Sequence, residues 1–258
     1  MEKGQDKMLS LSVITVCYNA EESIEKTMQS VLNQSYENIE YLIIDGQSTD
    51  STLEIVKKYQ EKYKNIRLVS EKDSGIYNAM NKGASYAQGE YIYYLNSGDL
   101  FPNETIVEQV MQKIEKTKPD ILYGNIDVDY GTHQHRILYA KQKRLKKLWI
   151  ALGITVCHQA VFAKTSLLKE RGFDESFKLW ADQEWMMQLL KKKVTVETIE
   201  KSVCIYDGFG ESSSALNLEL VFQESDRITK KYTPVIYYET KPMKWVLRIY
   251  RRWQRRNG

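Results

Sequence analysis

Leu11-Ser-Val-Ile-Thr-Val-Cys-Tyr-Asn-Ala20 is an apolar, largely β-branched run that breaks into a polar turn. Its first seven residues read as a buried strand. Asn19 to Gln34 reads as the helix that follows. Ile24, Met28, Val31 and Leu32 recur at helical spacing, and Glu21 and Glu22 stand in the first turn. Tyr41-Leu-Ile-Ile-Asp-Gly-Gln-Ser-Thr-Asp50 repeats the arrangement, with a strand over Tyr41–Ile44 running into an acidic turn. Ser48 or Asp50 can cap the next helix, which carries Leu53, Val56, Tyr59 and Tyr63 on one face.

The same alternation continues outward. Ile66–Ser70 reads as a short strand, Asn78–Gln88 as a helix, Tyr91–Leu95 as a strand and Glu104–Lys116 as a helix. Strand and helix in strict alternation with short loops predict an α/β fold on a mainly parallel, Rossmann-like central sheet flanked by helices. In such sheets ligands bind beyond the carboxyl ends of the strands, where Asn19, Asp45 and Asp99 fall. Further on, Ile121–Tyr130 and Arg136–Ala140 read as two strands joined near Gly131, and Lys141–Lys147 as a basic linker. A helix begins near Ala181, and Val194–Tyr206 reads as two more short strands. The composition of Asp207-Gly-Phe-Gly-Glu-Ser-Ser-Ser214 is that of a loop.

Composition narrows the function classes. The chain has 258 residues, 42% of them hydrophobic, enough for one large domain with a small appendage. A net charge of only +3 does not point to nucleic acid. Cys17, Cys157 and Cys204 lie far apart with no C-x-x-C pair, so they read as free thiols in a reducing compartment. The polar first residues lack the apolar core of a signal peptide, and no apolar stretch approaches the ~20 residues that cross a bilayer. The expectation is a cytoplasmic protein, held peripherally at the membrane. Lys244–Arg256 supplies the reason. Trp245, Val246, Ile249, Tyr250 and Trp253 share one helical face, while Lys244, Arg248, Arg251, Arg252, Arg255 and Arg256 lie mostly on the other. A basic amphipathic helix with interfacial tryptophans is suited to an anionic membrane surface.

The residues able to carry chemistry sit at the strand ends. Asp99 ends a strand after a glycine and can reach a divalent cation, which on a diphosphate needs few protein carboxylates. Asp45 and Asp50 leave the second strand. Either can bond a ribose hydroxyl or a base edge, with helix capping the favoured role for Asp50. Asp73 and Gly75, in the polar loop Asp73-Ser-Gly-Ile-Tyr-Asn78, can contact a nucleobase or form an ordinary turn. Asp127-Val-Asp129 is a literal D-x-D, but strand alternation puts both acids on one face, and an acceptor-side or solvated role is preferred for them. Asp182 and Glu184, in Trp180-Ala-Asp-Gln-Glu-Trp185, open a helix rich in Trp and Met. A carboxylate near apolar aromatics can have its proton affinity raised, which suits a general base. His158 can touch a diphosphate or metal, or be a buried, hydrogen-bonded histidine.

Taken in order, Val13–Ala20, Ile44–Asp50, Asp73–Gly83, Tyr94–Asp99, Cys157–Gln159 and Ala181–Trp185 resemble an inverting family 2 glycosyltransferase of GT-A fold, of the bacterial polysaccharide, colanic-acid type. The resemblance spans roughly residues 10–210. It implies nucleotide contacts from Thr15, Tyr18, Asn19, Asp45, Asp73, Gly75, Ser97 and Gly98. The family's D-x-D motif becomes Ser97-Gly98-Asp99, with Mn2+ or Mg2+ resting on Asp99. The base position matches Asp182, with Glu184 and His158 as secondary candidates. It further implies a nucleotide-sugar donor, a UDP-sugar first, and a saccharide or lipid-linked acceptor. The chain then divides into a GT-A domain over 9–215, with a nucleotide-binding part (9–118) and an acceptor and catalytic part (119–215), followed by a helical, membrane-associating segment (216–258).

Two rival enzyme classes fit less well. A nucleotidyltransferase such as a nucleotide-sugar pyrophosphorylase wants a glycine-rich, basic phosphate loop after the first strand, and a dinucleotide-dependent oxidoreductase wants G-x-G-x-x-G there. That turn is Cys17-Tyr-Asn-Ala-Glu-Glu22, acidic and without glycine. A non-catalytic membrane-surface module has no need of Asp99 and Asp182.

Overall fold

The computed structural model describes residues 9–140, 156–208, 218–235 and 237–238. The expected linker Lys141–Lys147, residues 209–217 and the basic stretch Lys244–Arg256 lie outside the described residues.

The α/β alternation is present. β1 (Leu11–Cys17), α1 (Ile24–Leu32), β2 (Ile39–Asp45), α2 (Thr52–Lys62), β3 (Ile66–Ser70), α3 (Ile76–Tyr86), β4 (Tyr91–Tyr94) and α4 (Ile106–Thr117) follow one another. β5 (Ile121–Asp129) and β6 (Gln134–Ile137) form a hairpin. A 3-10 turn, His158–Ala160, leads into β7 (Val161–Lys164) and α5 (Thr165–Glu170). Then come α6 (Ala181–Leu189), β8 (Val196–Asp207) and α7 (Leu218–Tyr232). The sheet order is β3-β2-β1-β4-β7-β5-β6, with β8 on the other side of β5. β1 to β4 are mutually parallel, and β8 is parallel to β5. β7 runs antiparallel between β4 and β5, so its beginning lies at the edge where β4 ends.

β1, β4 and the inner part of β5 are buried at every position, as strands covered on both faces are. α4 buries Ile106, Val107, Val110, Met111 and Ile114 at helical spacing. Tyr93 stacks between Phe162 and Phe101, with ring centroids 4.2 and 5.2 Å away. Its hydroxyl donates to the Gln159 carbonyl at 2.6 Å, so β4 fixes the backbone beside His158.

Two local expectations change. α1 begins at Ile24 rather than Asn19, because residues 18–23 are used in a polar turn held by side chains from residues 48–52. Where two strands are expected over Val194–Tyr206, there is one, β8. The register against β5 slips between Tyr123 and Ile126, and the polar Glu200-Lys201 pair falls within that slip while the strand continues.

Candidate active site

The parallel strands deliver their polar turns to one edge. After β1, Asn19 takes a left-handed conformation (φ 48°), which asparagine tolerates better than most residues. Its side-chain carbonyl accepts from the Thr49 N–H at 2.9 Å, which joins the first and second strand turns. Tyr18 beside it is 63% exposed. Gly46 lies under the Asp73 carboxylate: a Cβ there would stand 2.6 Å from Asp73 Oδ2 and 3.3 Å from the Tyr18 ring. Asp73 also accepts from Gly75 N–H at 3.0 Å. Tyr18, Asn19, Asp73 and Gly75 therefore form an accessible group at the strand ends.

Thr15 and Asp45 do not belong to that group. Thr15 is fully buried; its hydroxyl donates to the Leu95 carbonyl at 2.7 Å and meets the Tyr41 hydroxyl at 3.0 Å. Asp45 is also fully buried and accepts from Ser48 N–H at 3.1 Å, from the Ser48 hydroxyl and from the Ser70 hydroxyl at 2.7 Å. Both side chains are turned inward and hydrogen-bonded within the protein. Thr15 ties the interior of the sheet together, and Asp45 shapes the turn after β2. Asp50 holds Thr52 and Glu21 N–H groups, a capping role.

Ser97-Gly98-Asp99 forms the deepest part. The Ser97 hydroxyl meets Ser23 at 2.9 Å, and Gly98 N–H donates to Thr27 at 3.0 Å. Gly98 has φ +99°, a conformation that glycine adopts without strain. Asp99 is only 2% exposed. One of its oxygens accepts from the Asp207 N–H at 3.1 Å; the other has no hydrogen-bond partner. Burial pushes its pKa up to about 7, and the Asp207 N–H works against that rise. Asp207 reaches Asp99 because the end of β8 bridges the segment after β4: Leu100 and Ile205 exchange hydrogen bonds of 2.9 and 2.8 Å. The Asp207 carboxylate lies close to Gly98, 3.4 Å from the position a Cβ would take.

His158 connects this region to Asp182. Its Nε2 lies 3.0 Å from Asn96 Nδ2, and its Nδ1 lies 3.2 Å from Asp182 Oδ2. Nδ1 is the ring nitrogen that faces a carboxylate acceptor, so it is placed to donate to Asp182. The Asn96 carbonyl oxygen is left buried without a partner, as is Gln183 Oε1 beside Asp182. Asp182 itself is buried at the start of α6 and also accepts from Gln183 N–H at 2.8 Å. A small void lined by Tyr94, His158, Phe173, Asp182 and Trp185 lies beside this pair.

Glu184 does not share the site. It is fully buried and accepts from Lys231 at 2.7 Å, from the Tyr232 hydroxyl and from Gln188. Its carboxylate joins α6 to α7. Asp127 makes a two-pronged pair with Arg136, at 2.6 and 2.9 Å, and Asp129 accepts from the Gly131 N–H at the hairpin turn. The literal D-x-D thus has a structural role. The cysteines carry no nucleophile: burial raises the Cys17 and Cys204 thiols far above their usual range, and burial with the nearby Asp182 pushes Cys157 up to about 12.

Sequence reasoning passed over Asn96 and read Asp207 as loop. An acid at a strand's carboxyl end, the pattern that picked out Asp45 and Asp99, also describes Asp207 once β8 is recognised as running to that residue.

The profile described as "Glycosyl transferase family 2" matches residues 12–172. An uncharacterised glycosyltransferase of Mycobacterium tuberculosis is 30% identical over 208 residues, covering 79% of this chain and 77% of its own length. The minor teichoic acid biosynthesis protein GgaB of Bacillus subtilis is 27% identical over 213 residues, covering 80% of this chain but 24% of GgaB. The crystal structure of S. aureus TarS 1–349 in complex with UDP-GlcNAc superposes with a TM-score of 0.70 at 22% identity, over 87% of this chain and 68% of that one. At that identity the likeness speaks for the shared fold. The chain belongs to glycosyl transferase family 2 and is a glycosyltransferase.

Proposed function

We propose that this enzyme moves a sugar from a nucleotide-sugar, a UDP-sugar, to a hydroxyl of a glycan or lipid-linked saccharide in bacterial surface polysaccharide synthesis, with inversion at the anomeric carbon. The observation that carries the reading is the run Asn96–His158–Asp182, which stands beside a buried Asp99 with one unpartnered oxygen. The teichoic acid role in GgaB's name and the UDP-GlcNAc bound to TarS support the substrate classes.

The reaction is a single displacement. Asp182 takes the proton from the acceptor hydroxyl as its oxygen attacks the anomeric carbon, and the nucleoside diphosphate leaves from the opposite face. The His158 Nδ1–H and the Gln183 N–H bond the Asp182 carboxylate and hold its orientation. General-base assistance contributes roughly 10²–10⁴-fold, so positioning and charge stabilisation must supply much of the remaining acceleration. Tyr18, Asn19, Asp73 and Gly75 bind the nucleotide, with Ser97 and Gly98 beside the diphosphate.

The residues fit a divalent cation of the kind that lives mostly on diphosphate and water oxygens. Asp99 offers a buried oxygen with no other partner, and among the described residues no group of three His, Cys, Asp or Glu side chains gathers to hold an ion alone. Mn2+ or Mg2+ at Asp99 would supply Lewis-acid stabilisation of the leaving diphosphate. The basic stretch Lys244–Arg256 is assigned to an anionic membrane surface on the cytoplasmic side, at about 1 kcal/mol per near-surface basic residue. Among the described residues no helix is long and apolar enough to cross a membrane.

Calorimetric titration of a panel of nucleoside diphosphates and their sugars, with and without manganese, tests the reading. Selective, metal-dependent UDP binding supports it. Failure of every nucleotide to bind sinks the donor assignment.

A further inference from the structure

Glu224 lies on α7, well past residue 172, where the family match ends. It is 6% exposed, and its carboxylate accepts three consecutive backbone N–H groups: Lys178 at 2.7 Å, Leu179 at 3.0 Å and Trp180 at 2.9 Å. Those residues lead directly into α6, whose second residue is Asp182. Trp180 is the N-cap of α6, with an N–H that has no intrahelical partner, and a carboxylate there also meets the favourable end of the helix dipole. From the other side, the Tyr77 hydroxyl of α3 donates to the Leu179 carbonyl at 2.7 Å. The segment before the base is therefore gripped from two elements distant in sequence.

α7 is itself firmly seated. Ile228 is buried, and the Arg227 guanidinium lies 4.0 Å from the centre of the Phe177 ring and donates to the Ser176 hydroxyl at 2.6 Å. Lys231 and Tyr232 reach Glu184 on α6. Glu224 thus bonds the backbone entering α6, while the Glu184 pair bonds the helix itself. A carboxylate with three charge-assisted bonds to one short segment holds that segment in a defined position.

We propose that Glu224 is a positioning residue for the transfer step: by holding the backbone of Lys178–Trp180 it fixes where Asp182 stands relative to the acceptor hydroxyl. The inference rests on the reading of Asp182 as the base. It makes α7 part of the catalytic apparatus, although the helix brings no group to the reacting atoms.

Glu224→Gln keeps the side chain's shape and replaces one accepting oxygen with an amide that donates. Steady-state transfer is measured together with nucleotide affinity. The expected result is a kcat lower by about 10- to 100-fold, the scale that a misplacement of about 1 Å produces, with the donor KM and UDP affinity within about twofold of wild type. An unchanged kcat overturns the proposal, as does a parallel loss of kcat and nucleotide affinity, which is the mark of a general structural role. If Glu224→Gln does not fold, Glu224→Asp decides, since it keeps the charge and withdraws it by one methylene: a lowered kcat at unchanged UDP affinity supports the proposal, and wild-type kcat overturns it. Asp182→Asn is assayed alongside. Wild-type turnover in Asp182→Asn sinks the base assignment and this inference with it. An inactive Asp182→Asn beside a fully active Glu224→Gln sinks this inference alone.

Discussion

His158 Nδ1 lies 3.2 Å from Asp182 Oδ2, and the backbone N–H of the same histidine lies 3.2 Å from the same oxygen. One residue thus gives Asp182 two donors. The Asn96 amide meets the ring's other nitrogen, Nε2, at 3.0 Å. The arrangement holds the Asp182 carboxylate in a set orientation.

Asp182→Asn should bind nucleotide as wild type does and lose about 10²–10⁴-fold in kcat, because only the proton acceptor is removed. Transfer kinetics and UDP calorimetry on the same preparation check it. Turnover near wild type would move the base elsewhere.

His158→Phe keeps a ring beside Tyr94 and removes both ring nitrogens, while the backbone N–H to Asp182 stays. Turnover should fall, by up to about 10²-fold, as the carboxylate loses its fixed orientation. The donor KM should change little. A variant with full kcat would show that the imidazole only fills space.

Asp99 carries a pH dependence whose sign follows from burial. Its folded pKa is about 7 against an ordinary 3.8, so the folded protein prefers the protonated form. Metal-free stability from this group is fully present below about pH 4 and is lost as pH rises toward 7. At about 1.4 kcal/mol per unit, the loss is on the order of 4 kcal/mol. Asp99→Asn should therefore be flat across this window and exceed wild type in metal-free Tm at about pH 8. Manganese should raise the wild-type Tm there and leave Asp99→Asn unmoved. Parallel Tm curves for the two proteins from about pH 4.5 to 8 would refute the burial argument.

Thr15→Val separates a core role from a ligand role. The variant strips the Tyr41 hydroxyl and the Leu95 carbonyl of a partner inside the sheet, so stability should fall by about 1–3 kcal/mol. UDP affinity should stay within about twofold, a difference under ~0.4 kcal/mol. A large affinity loss at unchanged stability would restore Thr15 as a nucleotide contact.

Removal of residues 244–258 should lower partitioning onto anionic liposomes by more than about tenfold, given roughly 1 kcal/mol for each near-surface basic residue, and leave donor hydrolysis in solution intact. Equal partitioning of the two proteins would end the membrane assignment.

The sequence by itself determined the local order of this protein. Hydrophobic periodicity marks β1 to β4 and the helices between them, since a strand buried on both faces and a helix with one apolar stripe leave different spacings. Placement at strand and helix ends made Asn19, Asp73, Asp99 and Asp182 candidates, because a parallel sheet sends every strand's carboxyl end to one edge, while Tyr18 entered through the family resemblance. What periodicity does not encode is which long-range partner takes a polar group. Tertiary structure alone decided that Thr15 and Asp45 turn inward, satisfied by Tyr41, Leu95, Ser48 and Ser70, while Asp99 keeps an open oxygen. It also decided that Glu184 is spent on Lys231, that β8 carries Asp207 to Asp99, and that Glu224 reaches back 44 to 46 residues to hold the segment before Asp182. A buried polar group must find a partner wherever the packed chain offers one, and that choice is made in three dimensions.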